Sequence, residues 1–504
     1  MIRFALASAA LLVAMPVLAQ RGGDWTTAGN DAQRSGWARG DLRLTPEKIK
    51  RTPKPDFDLL WKLRVNSAPR SGHAVTPPAL LDFYIGYRGF RTLGFFGGAS
   101  NTMVGIDLDK GTLEWEKQLG AAGAPGTPQC PGGMTSSVTR PTGSGYPSAP
   151  AGRGRSTPGA SGVGEPFEGA VTLKNVRPQQ PPPAAQSARP PRNAAAAAAA
   201  AAAANPFSPR IQYAFGLTGD GKLHYLYVSN GDEPNPPIEF LPSGANARGL
   251  IVMDGSAYAA TVNDCGGVPN GIWAVGLESK KVVSWKAPAN IVGTHAFAAS
   301  PAGVIFTAAG SELFALDADT LTVKASFQAG AAFSTSPLVF EQQGKDHVAA
   351  ATADGKLHIF DAGNLGAGPV ASGDTGLGAH TGAGALASYT TADGSRFFLV
   401  PGAAKIAALK LAGTSLSPGW TSPAIASPLA PIVVNGIVFA VGAGKVGAPA
   451  VLHALDPASG QPIWNSGRSI LGRVTSGGLA AGGGRIYVST ADGTQYCFGV
   501  PLEL

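Results

Sequence analysis

Apolar residues alternate with polar or small ones in short runs along most of the chain, and Asp, Pro and Gly cut the runs at regular intervals. Residues 451–464, VLHALDPASGQPIW, show the unit most clearly. Val451, His453 and Leu455 alternate with Leu452 and Ala454, a period of two that predicts a strand. Asp456-Pro457-Ala458-Ser459-Gly460 predicts a tight turn. Asp bonds its own backbone there, Pro presets φ, and Gly accepts a positive φ. Ile463 and Trp464 then start a second strand. No long segment of 3.6-residue periodicity is found outside the first twenty residues and one alanine run, so the chain reads as all-β.

The unit repeats. Asp107-Leu-Asp-Lys-Gly111-Thr-Leu-Glu-Trp115 shares its D-x-x-x-G-x-x-x-W spacing with Asp456 to Trp464. Weaker copies are centred on Leu313 to Asp317, Leu357 to Asp361, and Ile272 to Gly276 leading to Trp285. Phe333, His380, Ser427 and Val474 each open a short strand rich in small residues, and they lie 47 residues apart. A four-strand unit of that length is the size of a propeller blade. A closed ring leaves only short, protected edges, which a solenoid does not. Eight such units are predicted, with innermost strands starting near Val75, Met134, Arg248, His295, Phe333, His380, Ser427 and Val474. The eighth lacks its last strand. Residues 58–65, DLLWKLRV, are expected to supply it from the N-terminal side and so close an eight-bladed β-propeller of four-stranded blades. Trp61 then takes the slot of Trp115 and Trp464.

Two segments stand apart from the repeats. Residues 1–19 have a charged start at Arg3, an apolar run from Phe4 to Val13 and small residues at 17–19. This predicts a secretion signal and a mature chain of residues 20–504, periplasmic or secreted and without a membrane anchor. Residues 140–210 are rich in Pro, Gly and Ser and end in eleven alanines, 194–204. Such a composition predicts a disordered insertion, placed between the first two strands of the second blade. It also alters the meaning of the net charge of +7. The insertion holds eight Lys/Arg against two Asp/Glu. With it and Arg3 set aside the body is neutral, which argues against a nucleic-acid partner. The three cysteines form no CxxC. Cys130 and Cys265 fall in loops of neighbouring blades on one face and are expected to form a disulfide, whereas Cys497 sits in a strand as a free thiol.

With the repeats in view, the chain resembles the quinoprotein propellers, the repeat family of the PQQ-dependent dehydrogenases. The resemblance rests on [LI]-x-A-[LI]-D-x-x-x-G-x-x-x-W, and on Asp24-Trp25-Thr-Thr-Ala-Gly29-Asn-Asp31, which is similar to that family's DWxxxGxD opening. It implies an eight-bladed ring. It does not decide the chemistry, because the same ring serves dehydrogenases and a non-enzymatic outer-membrane assembly propeller. The alcohol-oxidising members carry adjacent cysteines and a Glu, Asn and Asp calcium site. Here no two cysteines are adjacent. The stretch from Asn230 to Pro236 is similar to a calcium loop, but in register it lies where a blade turn belongs.

Of the seven histidines, His224, His358 and His453 occupy one repeated strand position and read as packing, and His347 reads as a surface residue. His73, His295 and His380 instead open innermost strands and so are expected to face the mouth of the central channel, with Arg473 and Arg248 nearby. This group is the candidate site. Its imidazoles are suited to a metal ion, to an anionic cofactor such as the quinone PQQ, or to proton transfer. The expected function is a ligand- or partner-binding scaffold acting through the mouth face, as a monomer holding a small ligand or a protein. The alternative is a PQQ-dependent oxidoreductase of the alcohol or aldehyde dehydrogenase type with an atypical active site at the mouth.

Overall fold

In a computed structural model, residues 24–39, 41, 43–50, 55–67, 74–86, 88–121, 126–146, 212–379, 384–445, 447–475 and 478–501 are described. The proposed leader, most of the 140–210 segment, His73 and His380 lie outside them. The described residues are nearly all β and form eight blades arranged as a propeller. Blades 1 to 8 have innermost strands at Ala79–Gly86, the bridge at Thr139, Ala247–Met253, Phe297–Ser300, Leu338–Gln342, Ala387–Thr390, Ile432–Val434 and Leu479–Gly482.

Most of these strands start four to seven residues after the positions expected from the repeat. The intervening residues explain the delay. Val75, Phe333 and Pro428 each make one isolated bridge to the end of the second strand of their blade. Prolines at 77, 78, 337 and 431 then lack the N–H that a continuous ladder needs. Blade 2 departs furthest from the four-strand plan. Its outer strand is only Ile238–Glu239, after Pro234, Pro236 and Pro237.

Blade 8 is completed from the N-terminal side. Asp58–Arg64 pairs antiparallel with Thr494–Gly499, with Trp61 opposite Cys497. Once closed, the ring is held blade to blade by indole locks. Trp61 donates its Nε1–H to the Leu108 carbonyl of blade 1 at 3.0 Å, Trp115 to Val228 of blade 2 at 3.1 Å, and Trp420 to Pro457 of blade 7 at 2.7 Å. Each acceptor lies three residues before a turn glycine, Gly111, Gly231 or Gly460, on which the indole rests. Trp464 differs, because the last blade is built from both ends of the chain. It packs edge-on against Phe57, with ring centroids 4.8 Å apart, and against Phe498.

One element has no counterpart in the repeat. Residues 24–39 and 41 run around the inside of the ring and bond in order to the innermost strands of blades 1 to 7 and to a turn of blade 8. The Leu80 amide donates to the Trp25 carbonyl at 2.7 Å in blade 1, and Arg140 to Thr26 at 2.8 Å in blade 2. Thr27 Oγ1 donates to the Leu250 carbonyl in blade 3. Ala299, Val339, Ser388 and Val433, in blades 4 to 7, donate to Ala32, Gln33, Ser35 and Gly36. In blade 8 the Gly484 amide donates to Asp41 Oδ2 at 2.6 Å. The inner edge of a propeller exposes unpaired backbone groups to the channel, and this axial segment satisfies one or more of them in every blade.

Candidate functional site

Arg34 anchors the axial segment. Its side chain is 1% exposed, and its guanidinium donates to the carbonyls of Phe297, Ala28 and Gly249 and to Thr27 Oγ1. Burial lowers its pKa to about 10, and Asp31 partly opposes that. Five donors in a rigid fork suit a site with several carbonyls and no facing carboxylate.

His295 lies on this segment. Gly29, at φ +74°, passes so close that a Cβ would sit 2.8 Å from the imidazole, so both the backbone conformation and the space require glycine. His295 is 5% exposed, and its Nδ1 has no hydrogen-bond partner among the described residues. Burial pushes its pKa down to about 3, with the Arg34 charge adding to the effect. The ring is therefore neutral at physiological pH.

The mouth above His295 is narrowed by loops that cross it. The Thr294 amide of blade 4 donates to the Gly384 carbonyl of blade 6 at 3.2 Å, although these blades are not neighbours. Thr335–Ser336 of blade 5 pairs in parallel with Gly384–Ala385, and the His295 amide donates to Ser336 Oγ. Of the three histidines expected at the mouth, His295 is a buried imidazole beside these loops, and His73 and His380 lie outside the described residues. Arg473 is exposed on the rim. Arg248 is half-buried and donates to the Gly293 carbonyl at 3.4 Å, with burial lowering its pKa. His295 and Arg248 come near one another, since Gly249 abuts the His295 carbonyl. Among the described residues no group of three or more His, Cys, Asp or Glu is arranged to hold a metal ion.

Cys130 and Cys265 are disulfide-bonded with Cα atoms 5.5 Å apart. The bond ties the loop before blade 2 to a loop of blade 3 on the mouth face. The Gln129 carbonyl beside it accepts the side-chain amides of Asn246 and Asn263, both at 2.8 Å. Cys497 is a buried free thiol. The stretch from Asn230 to Pro236 acts as a blade turn. Gly231 sits under Trp115, Asp232 pairs with Lys117 at 2.9 Å, and Glu233 meets His224 Nδ1 at 2.9 Å. The histidines of the repeated strand position are packing residues. His358 bonds Ser372 and Thr352, and His453 is half-buried in its strand.

The axial segment was missed by sequence reasoning, which took residues 24–31 only as an opening before blade 1. Its one local signal is a cluster of residues tolerant of positive φ. Gly29, Asn30 and Gly36 all adopt it, and so does Arg34.

Residues 267–466 match the family model described as outer membrane protein assembly factor BamB. No curated protein matches the chain in sequence. The fold is shared with BamB from Moraxella catarrhalis at a TM-score of 0.51 and 13% identity, over 88% of this chain and 97% of that one. It is shared with a quinohemoprotein alcohol dehydrogenase from Comamonas testosteroni at 0.54 and 13%, over 95% and 81%. A europium-containing methanol dehydrogenase gives 0.55 and 10%, over 95% and 98%. Identities this low speak for the fold alone. No helix among the described residues is long and apolar enough to cross a membrane. With the matched repeats and the fold in agreement, the described residues form an eight-bladed β-propeller in which residues 267–466 are similar to the PQQ-type repeats of the BamB family model.

Proposed function

We propose that the chain is an exported binding or scaffold propeller that presents its mouth face, with Arg248, Arg473 and the disulfide-tied loops, to a protein partner or small ligand. The observation that carries this reading is the segment lining the channel. Residues 24–39 and 41 bond to every blade from inside the ring, and loops of blades 4, 5 and 6 meet beside them. A quinone with several carboxylates and a paired divalent cation calls for converging cations and a set of oxygen ligands. The described residues fit that group poorly. His295 is covered and neutral, the Arg248 guanidinium is engaged by the Gly293 carbonyl, and no group of three or more His, Cys, Asp or Glu among them is arranged to hold a metal ion. The reading is tested by mixing the purified protein with PQQ, with and without calcium. The expected result is no retained quinone absorbance and no dye-linked oxidation of alcohols or aldehydes. Stoichiometric uptake with turnover would replace the scaffold reading by the oxidoreductase one. Elemental analysis of the same preparation is expected to find no bound metal.

A further inference from the structure

The axial segment makes a full circuit, so its two ends meet where the ring closes between blades 8 and 1. At its start, Asp24 Oδ1 accepts the Asp82 amide at 2.9 Å and Oδ2 pairs with Arg140. At its end, Asp41 accepts the amides of Gly484 at 2.6 Å and Arg43 at 3.1 Å. Asp82 belongs to the inner strand Ala79–Gly86 and faces the same turn. A Cβ placed on Gly483 would lie 2.9 Å from Asp82 Oδ1 and 3.8 Å from Arg43 Nη1. Asp82 is 6% exposed, and its Oδ1 has no hydrogen-bond partner among the described residues.

The groups around Asp82 leave it without a counter-ion. Arg140 is engaged by Asp24, and Arg485 by Asp109 at 2.7 Å. Arg43 is exposed, and its guanidinium reaches the Gly483 carbonyl. Asp24, Asp41 and Asp109 add negative charge. An ionised Asp82 is thus a buried charge with one solvent-screened cation in range, an arrangement that favours either a bound proton or entry of water. Burial raises its pKa to about 7. Arg43 opposes the rise, and the three neighbouring carboxylates reinforce it.

We propose that Asp82 makes the seam between blades 8 and 1 a pH-operated latch: a neutral carboxyl keeps both ends of the axial segment seated, and its ionisation releases them while the other blades stay folded. The ends are where release is cheapest, because Asp41 is tied to blade 8 through one turn amide. The folded carboxyl holds its proton more tightly than an unfolded Asp does. The seam is therefore tightest below about pH 4, where an unfolded Asp is also protonated, loosens as pH rises from there to about 7, and changes no further above that value.

Hydrogen exchange of the full chain across pH 4.5 to 8.5, corrected for intrinsic base catalysis, tests the latch. Protection in peptides covering residues 24–41 and 478–486 is expected to fall about tenfold per pH unit up to a midpoint near pH 7 and to level off above it, while a peptide covering Val304–Ala309 does not change. Asp82→Asn is expected to abolish the fall. Arg43→Gln removes the facing cation and is expected to move the midpoint to higher pH. A wild-type profile without the fall, a fall that persists in D82N, or a midpoint that Arg43→Gln leaves in place or lowers would overturn the proposal. The Arg43 variant and the wild-type profile decide the matter even if D82N does not fold.

Discussion

The indole locks make a prediction that separates their strain from ordinary backbone strain. Gly460 and Gly436 both have positive φ, +69° and +75°. A Cβ on Gly436 meets nothing within 4 Å, whereas one on Gly460 lies 2.2 Å from Trp420 Cε3. Alanine at either position takes on the left-handed penalty of about 1–2 kcal/mol. At Gly460 the indole must also move. It is buried and fixed by its bond to the Pro457 carbonyl, which Tyr389 Oη shares at 2.9 Å, so overpacking adds about 1–3 kcal/mol. Gly436→Ala is therefore expected to cost about 1–2 kcal/mol and Gly460→Ala about 2–5 kcal/mol. The assay is equilibrium urea unfolding followed by far-ultraviolet circular dichroism, which does not depend on the tryptophan. Repeating Gly460→Ala in a Trp420→Ala background closes a double-mutant cycle, and the excess over Gly436→Ala is expected to vanish there. Equal costs for the two glycines, or an excess that survives without the indole, would refute the lock.

Other outcomes follow from the channel and the mouth face. Arg34→Met removes the donor to four acceptors inside the ring and is expected to destabilise the protein by about 3–5 kcal/mol, measured by urea unfolding. His295 is expected to stay uncharged from pH 5 to 8 and to resist diethyl pyrocarbonate in the folded state. Its folded pKa lies below the unfolded one, so the stability it contributes is complete above about pH 6.5 and is lost as pH falls from there toward 3. Replacing Cys130 and Cys265 by Ser opens a loop closed over 135 residues and is expected to cost about 5 kcal/mol in the chain-entropy treatment. Thiol titration of the denatured, unreduced wild type is expected to find Cys497 alone.

The ring was legible because its unit is written in side chains. Asp, Gly and Trp recur at fixed offsets where a turn with its Asp and Gly receives an indole from the neighbouring blade, as at Gly111 and Gly460. Closure was legible for a related reason: the last repeat stopped one strand short, and residues 58–65 had the missing pattern. Two features were hidden. The axial segment meets each blade through one or two backbone bonds and so carries no periodic side-chain pattern for sequence reasoning to find. Its glycines look like an ordinary loop until His295 and Pro431 are seen against them. The second was the meaning of the slot that His295 shares with Phe333 and Val474. The repeat placed it at the inner strand, but whether that strand faces water or packed chain depends on residues more than 250 positions earlier.

The axial segment also bears on where function can reside in this ring. Eight inner strands leave eight rows of backbone donors and acceptors around a wide channel. Water, a ligand or the chain itself must satisfy them. Here the chain does so, blade by blade from Leu80 to Gly484, and seats a guanidinium and a neutral imidazole among the carbonyls. Binding on the axis would have to displace those bonds together, and they include interactions in every blade. Binding at the mouth face would displace none of them. The loops there are free to differ between blades because the locks and the axial segment already hold the ring. The same division of labour explains the position of Asp82. It lies at the one place where the circuit begins and ends, and there a single proton bears on both ends of the segment at once.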